Sequence, residues 1–107
     1  MASKKTALAK RASLPRSSDY AKQFLKDWDR LSNSGRYDMN RLKEVILLLI
    51  STVGALPPEY KDHELSGEWA DFRECNVGGD FLLIYCFAGK NAVNFTRAGT
   101  HSELFGR

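Results

Sequence analysis

This chain has little of what marks a secreted or membrane protein. It has only two cysteines, Cys75 and Cys86, too few for a disulfide framework. Its apolar runs, such as Val45–Ile50, are far shorter than the about 20 residues that a membrane span needs. The lysines near the N-terminus are not followed by the apolar segment of a secretory signal. These absences predict a cytoplasmic protein with no membrane segment.

Basic side chains are distributed unevenly along the chain, which has 107 residues and a mass of 12.1 kDa. The formal net charge is +3, yet residues 1–16 carry five basic and no acidic side chains, which leaves −2 for the rest. We predict a flexible basic arm at 1–13 and one globular domain at 14–107, since 43% hydrophobic residues suit a single core. Composition leaves open whether the arm contacts nucleic acid or is a solvated tail.

The first half of the domain predicts two helices joined by a short turn. Ser17, Ser18 and Asp19 are candidate N-cap residues for the first helix, and Gly35 ends it. Its apolar stripe at helical spacing consists of Tyr20, Phe24, Trp28 and Leu31. Asp38 caps the second helix, whose stripe consists of Met39, Leu42, Val45, Ile46 and Leu49. The short turn predicts an antiparallel helical hairpin.

The second half predicts a three-stranded antiparallel meander. Strands are expected at 72–77, 81–87 and 92–96. Gly78 and Gly79 form the turn after the first of these strands, and a short turn or helical tail follows over 101–105. The strand at 81–87 is continuously apolar and is expected to be buried on both faces. Leu14 and Pro15 begin a short extended piece that can add an N-terminal strand. The predicted fold class is α+β: a small antiparallel sheet with two N-terminal helices packed on one face and the other face partly open.

Polar side chains that can carry chemistry are concentrated in the second half. They are Lys61, Asp62, His63, Arg73, Asn76, Asp80, Arg97 and His101. Two histidines and a carboxylate suit acid–base cleavage of RNA, in which one group takes the ribose 2′-OH proton and another protonates the departing 5′ oxygen. Alternatively, both histidines are ordinary surface side chains, or they form a metal site together with Asp80. A Cys–His nucleophilic enzyme is a further, weaker alternative, because nothing marks either cysteine as activated.

Phe105 differs from Tyr20, Phe24 and Trp28, whose helical spacing is most simply that of core residues. It lies beyond the last predicted strand, just after the run Gly99-Thr100-His101. A nucleic-acid base can stack on such a ring. Equally, the ring can be a hydrophobic latch that seals the edge of the sheet.

Four segments carry a resemblance to a known family. They are Leu56–Trp69, which contains Tyr60-Lys61-Asp62-His63, then Phe72–Cys75 with Asp80–Tyr85, and finally Arg97–Phe105. The pattern YKDHxLxGxW followed by RxGTHxxLF resembles YafQ-type toxins, within the RelE/ParE superfamily of bacterial toxin–antitoxin systems. The resemblance covers about residues 15–107 and implies a RelE-like fold.

The resemblance implies a ribosome-dependent endoribonuclease that cuts translated mRNA without a metal or other cofactor. Its implied partners are a cognate antitoxin, the ribosome and mRNA, with operator DNA contacted only through the antitoxin. By position, the implied catalytic residues are His63, Asp80 and His101. The implied substrate-binding residues are Lys61, Arg73, Asn76, Arg97 and Phe105.

Asn76 departs from the family pattern, because many relatives have a histidine at this position. An asparagine can hold a hydrogen bond but cannot transfer a proton. Either the remaining residues suffice, or the chain is a weakened form of the enzyme. The alternative function is that of a ParE-like toxin or binding module of the same superfamily, which acts on DNA gyrase without cutting RNA.

Overall fold

The computed structural model describes residues 15–51 and 56–106 of the chain, so the predicted arm at 1–13 and Leu14 lie outside it. The helices are α1 (Lys22–Ser34), α2 (Met39–Ser51) and the short α3 (His101–Phe105). The strands are β1 (Ser17–Tyr20), β2 (His63–Glu64), β3 (Arg73–Gly78), β4 (Phe81–Phe87) and β5 (Ala92–Gly99). In this part of the chain, none of the helices has the length and apolar character needed to span a bilayer.

The strands form one mixed sheet in the order β1-β5-β4-β3-β2. The predicted meander of β3, β4 and β5 is confirmed, since both of its pairings are antiparallel. The N-terminal strand exists, but it joins β5 in parallel, with Ser17 opposite Ala92. The fold is therefore α+β as predicted, with a mixed rather than a purely antiparallel sheet.

The prediction that Ser17, Ser18 and Asp19 cap the first helix is wrong. These residues form β1, and the N-cap is Ala21, which has no side chain that can cap. The Ser17 amide donates to the Asn91 carbonyl at 2.8 Å, so pairing with a distant strand overrides the local capping preference. The predicted ends between the helices are confirmed: Gly35 adopts φ 67° at the C-cap, and the Asp38 carboxylate accepts from the Arg41 amide at 3.0 Å.

The main core lies between the two long helices and one face of the sheet. The side chains buried there include Phe24, Leu31, Leu42, Val45, Leu83, Tyr85 and Phe95. Each such apolar side chain contributes about 1.5–3 kcal/mol on burial. This core therefore stabilises most of the domain and fixes the sheet on which the polar residues are arranged.

The opposite face of the sheet carries a much smaller core. Leu82 and Ile84 of β4 and Leu104 of α3 are buried there, and partly buried Leu65, Trp69, Phe72 and Phe105 pack around them. Strand β4 is thus buried on both faces, as its continuous apolar run predicts. Because α3 covers only one end of this face, the rest is free to carry polar side chains.

Candidate active site

Strand register decides which predicted residues share the less covered face of the sheet. One row across the sheet contains His63, Glu74, Ile84 and Arg97, and the next contains Asn76, Leu82 and Gly99. Directly paired residues project from the same face, and Leu82 and Ile84 belong to the smaller core. His63, Asn76 and Arg97 are therefore directed toward that face, which we call the open face.

His101 and Asp80 form a direct pair at one end of the open face. The His101 ring Nδ1 lies 2.7 Å from Asp80 Oδ1, and the His101 amide donates to the same oxygen at 3.3 Å. Both side chains are more than half exposed, at 58% and 57%. The hydrogen bonds from His101 lower the pKa of Asp80 below its ordinary value. The ionised carboxylate can only accept a hydrogen bond, so Nδ1 of His101 donates it. Nε2 of His101 is left for proton exchange.

Local backbone features hold this pair in place. Asp80 follows Gly79, whose φ of 56° makes the tight turn between β3 and β4. His101 is the first residue of α3, which is closed by a capping box: the Thr100 hydroxyl accepts from the Glu103 amide at 3.2 Å, and the Glu103 carboxylate accepts from the Thr100 amide at 2.8 Å. A turn and a capped helix therefore bring together two residues that are 21 positions apart.

His63 lies on β2, at the far edge of the open face. Its Nδ1 donates to the Lys61 carbonyl at 2.8 Å, since that carbonyl can only accept. Its Nε2 lies 3.6 Å from a carboxylate oxygen of Glu74, its partner across the strands. Two strand spacings, about 10 Å, separate β2 from β4. His63 therefore faces the same side as the His101–Asp80 pair but is not in direct contact with it.

Phe105 is packed beside the His101–Asp80 pair. Its ring centroid lies 6.0 Å from that of His101 and 5.9 Å from that of Trp69, which it meets edge-on. The ring is half-buried against the smaller core. It is therefore part of that core, as the latch alternative predicts, and the stacking of a base on its ring stays a prediction.

Asn76 and Lys61 occupy positions next to these groups. The Asn76 side-chain amide donates to the Gly79 carbonyl at 2.7 Å, so it is tied to the turn that carries Asp80. Lys61 is exposed and has a left-handed backbone with φ 50°, at the end of a single 3-10 turn. That conformation turns its carbonyl toward the His63 ring.

Arg73 is held on the other side of the sheet. It lies directly opposite Tyr85, whose side chain belongs to the main core under the helices. Its guanidinium donates to Asp62 at 2.9 Å, and this hydrogen bond raises the pKa of Arg73. The Tyr85 hydroxyl donates to the same carboxylate, and burial raises the pKa of Tyr85. Arg73 therefore braces the sheet edge, and the structure does not bring it to His101.

Arg97 is likewise bound by a carboxylate. It donates to Asp27 of α1 at 2.8 and 3.1 Å, and this interaction raises the pKa of Arg97. Asp27 is only 2% exposed and also accepts from the Ala98 amide at 3.0 Å. Both predicted phosphate-binding arginines thus already have acidic partners in this structure.

The sequence interpretation assigned no role to Asp27, Glu74 or Trp69. Asp27 carried a signal, because a carboxylate stands on the apolar face of α1 between Phe24 and Leu31. Glu74 and Trp69 acquire their neighbours from strand register and chain reversal, which local patterns do not contain. The alternative metal set is not assembled: within 15–51 and 56–106, no three His, Cys, Asp or Glu side chains are placed to hold a metal ion.

Comparison with known proteins agrees with this architecture. The family model described as "Bacterial toxin of type II toxin-antitoxin system, YafQ" matches residues 16–106. The mRNA interferase toxin YafQ of Escherichia coli K12 is 41% identical over 93 residues, covering 87% of this chain and 99% of the relative. The crystal structure of YafQ from E. coli strain BL21(DE3) superposes with a TM-score of 0.77 at 41% identity, covering 85% of this chain and 99% of that one.

A second solved relative contains a partner. The toxin in the crystal structure of the E. coli DinJ–YafQ complex matches with a TM-score of 0.75 at 42% identity, covering 85% of this chain and 99% of that one. Fold and matches together define the class as a bacterial toxin of a type II toxin–antitoxin system. The chain belongs to the YafQ family of these toxins.

Proposed function

We propose that this chain is an mRNA interferase, an endoribonuclease that cleaves translated mRNA with His101 as the general acid. The observation that carries this proposal is the exposed hydrogen bond between His101 and Asp80 at 2.7 Å, beside the ring of Phe105. A carboxylate that holds one nitrogen of an imidazole positions the other nitrogen for general acid–base catalysis. The name and activity of the E. coli relative support the same function.

The proposed reaction needs two proton transfers and no further reactant. The ribose 2′ oxygen attacks the adjacent phosphorus, and its proton goes to Nε2 of His63. The bond from phosphorus to the 5′ oxygen breaks, and Nε2 of His101 protonates that oxygen. The products are a 5′-hydroxyl and a 2′,3′-cyclic phosphate, which water can open to a 3′-phosphate.

Binding of the substrate falls to groups around this pair. The exposed Lys61 ammonium can face a phosphate, the Asn76 amide can hold a ribose or phosphate oxygen, and the Phe105 ring can stack on a base. Arg73 and Arg97 remain predicted phosphate contacts. Each would have to share its guanidinium with Asp62 or Asp27, respectively.

The proposed setting is the ribosome in the cytoplasm, where mRNA is held in a fixed geometry. Outside residues 1–16 the chain has a net charge of −2, so bulk charge does not favour tight binding of free RNA. A substrate aligned in advance offsets an entropic cost that can reach about 7–11 kcal/mol. A cognate antitoxin is the expected inhibitor, by likeness to the DinJ–YafQ complex, and operator DNA is contacted only through it.

The decisive experiment compares the wild type with His101→Ala in a translation-coupled cleavage assay. General acids contribute about 10²–10⁴-fold, so cleavage should fall by that factor. Circular dichroism should not change, because His101 is exposed, and the variant should still bind the antitoxin. Full cleavage by a folded His101→Ala protein would refute the assignment, and inhibition of gyrase supercoiling by the wild type without RNA cleavage would favour the ParE-like alternative.

Ribosome dependence has its own test. The same mRNA is offered translated and free, at two salt concentrations, to the full chain and to a chain that lacks residues 1–13. Translated mRNA should be cut far faster than free RNA. Equal cutting of translated and free RNA would refute ribosome dependence. If deletion of residues 1–13 has no effect on cleavage at low salt, the arm is a solvated tail.

A further inference from the structure

The helix that carries His101 is bound to α1 by an ion pair. Arg30 of α1 places Nη1 3.4 Å from Oε2 of Glu103 in α3. The other oxygen of the same carboxylate, Oε1, accepts from the Thr100 amide at 2.8 Å. Glu103 therefore acts twice: it closes the capping box at the start of α3 and joins that start to the long helix.

Arg30 is itself fixed from the opposite side. Its Nη2 donates to the buried Asp27 carboxylate at 3.3 Å and to the Ala98 carbonyl at 3.4 Å. Asp27 also binds Arg97 and the Ala98 amide. The guanidinium of Arg30 is thus positioned between the buried Asp27 carboxylate and the carboxylate of Glu103.

Close packing at Gly99 shows how tightly this contact is built. A Cβ at this position would lie 2.8 Å from Glu103 Oε1 and 3.3 Å from Arg30 Nη2. A side chain at this position would therefore have to displace the ends of the Glu103 and Arg30 side chains, the two groups that form the ion pair. His101 follows two residues later, so the orientation of α3 decides where its ring meets Asp80.

We propose that Arg30 and Glu103 are positioning residues for RNA cleavage: through the first turn of α3 they hold the His101 ring against Asp80. The inference rests on the proposed function of His101 as the general acid. Arg30 and Glu103 are 41% and 32% exposed, and an ion pair so exposed adds little to stability. Its removal should therefore act on catalysis more than on folding.

The kinetic test uses Glu103→Ala, Glu103→Gln and Arg30→Ala, with Glu44→Ala, an exposed glutamate of α2, as the matched control. Glu103→Ala should lower kcat about tenfold with KM within about twofold, because a displacement of 1 Å can cost about 10²-fold. Glu103→Gln keeps an acceptor for the Thr100 amide but loses the charge, so it should fall between Glu103→Ala and the wild type. Arg30→Ala should lower kcat as much as Glu103→Gln does. In a protein that carries both substitutions, the two losses in kcat should not add.

A second measurement does not depend on activity. Nitrogen NMR of the His101 ring reports which nitrogen carries the proton, and Glu103→Ala should reduce the population protonated at Nδ1 toward Asp80. Unchanged kcat and ring signals in folded Glu103→Ala would overturn the inference while leaving the general acid intact. A rise in KM alone would overturn it too, since it would indicate direct RNA contact. If the wild type cuts no RNA, the proposed function fails and the NMR result still decides the positioning.

Discussion

His63 and His101 project toward the same open face of the sheet but have different surroundings. His101 is bound to an exposed carboxylate at 2.7 Å and stands at the start of a capped helix. His63 is bound through Nδ1 to a main-chain carbonyl, and its Nε2 lies 3.6 Å from Glu74, whose side chain is only 8% exposed. The His101 imidazole is thus aligned by an exposed carboxylate. The His63 imidazole lies on an edge strand beside a buried carboxylate.

This difference assigns unequal roles in the proposed reaction. A general acid must be aimed at the leaving oxygen, and the His101–Asp80 bond provides that aim. A group that takes the 2′-OH proton must present an unprotonated nitrogen. In neutral His63 the bond from Nδ1 to the Lys61 carbonyl leaves Nε2 as that nitrogen, 3.6 Å from Glu74 and beyond hydrogen-bond distance. Hydrogen bonds in a free enzyme often tighten only when substrate binds, so His63 is the histidine whose surroundings should change more.

The largest expected effect, after loss of His101, is that of His63→Ala. Cleavage of translated mRNA should fall about 10²-fold, the lower end for a general base. The acid limb of the pH–rate profile should be lost as well, because that limb reports protonation of the base. Glu64→Ala, next to His63 on β2 and strongly exposed, is the matched control and should cleave normally. A His63→Ala protein with an unchanged pH profile would show that another group takes the proton.

Removal of the acid beside His101 should cost less. Asp80→Ala should reduce cleavage about tenfold, since the imidazole remains but loses its alignment. Asp80 is 57% exposed, so its loss should leave the unfolding midpoint in urea almost unchanged. Equal activity of Asp80→Ala and wild type would mean that α3 alone orients the His101 ring. His101 would then resemble His63 in needing no carboxylate for its alignment.

Much of this fold could be predicted from local pattern. The strand at 81–87, the turn at Gly35 and the cap at Asp38 are each determined by residues close in sequence, and all three are confirmed. A short N-terminal strand was predicted, but its extent over Ser17–Tyr20 was not, because its pairing partner lies more than 70 residues away. Ser17, Ser18 and Asp19 have the composition of a helix cap, and only long-range hydrogen bonding makes them a strand.

The site divides in the same way. The segments Gly99-Thr100-His101 and Lys61-Asp62-His63 indicate which histidines to examine. Local sequence does not show which side chains these histidines contact. The contacts from Asp80 to His101 and from Glu74 to His63 depend on the turn at Gly79 and on strand register. The sequence also could not show that Arg73 and Arg97 are bound to Asp62 and Asp27, because each pair spans different elements.

Asn76 lies on β3, between the strand of His63 and the turn that carries Asp80. Its replacement should change the cleavage rate modestly. Asn76→His supplies a third imidazole near the turn that carries Asp80 and should raise cleavage about threefold to tenfold. The ring Nδ1 can replace the bond that the Asn76 amide donates to the Gly79 carbonyl. Asn76→Ala, which removes that bond and adds no proton donor, is the control and should lose activity. No gain by a folded Asn76→His protein would show that this position does not limit the rate.

The smallest expected effect is a change in how Asp80 titrates. Hydrogen bonds from His101 lower its pKa below the ordinary value of 3.8, so the folded carboxylate keeps its charge to lower pH than an unfolded one. Its stabilising contribution is therefore complete above pH 3.8 and is lost as the pH falls through the lowered folded pKa. In His101→Ala the pKa should return toward 3.8, as measured by NMR of the Asp80 carboxyl carbon, whereas in His63→Ala it should stay low. An equal shift in both variants would mean that the two histidines share one electrostatic environment, although His63 lies on β2 and His101 follows β5, and two strands separate β2 from β5 in the sheet.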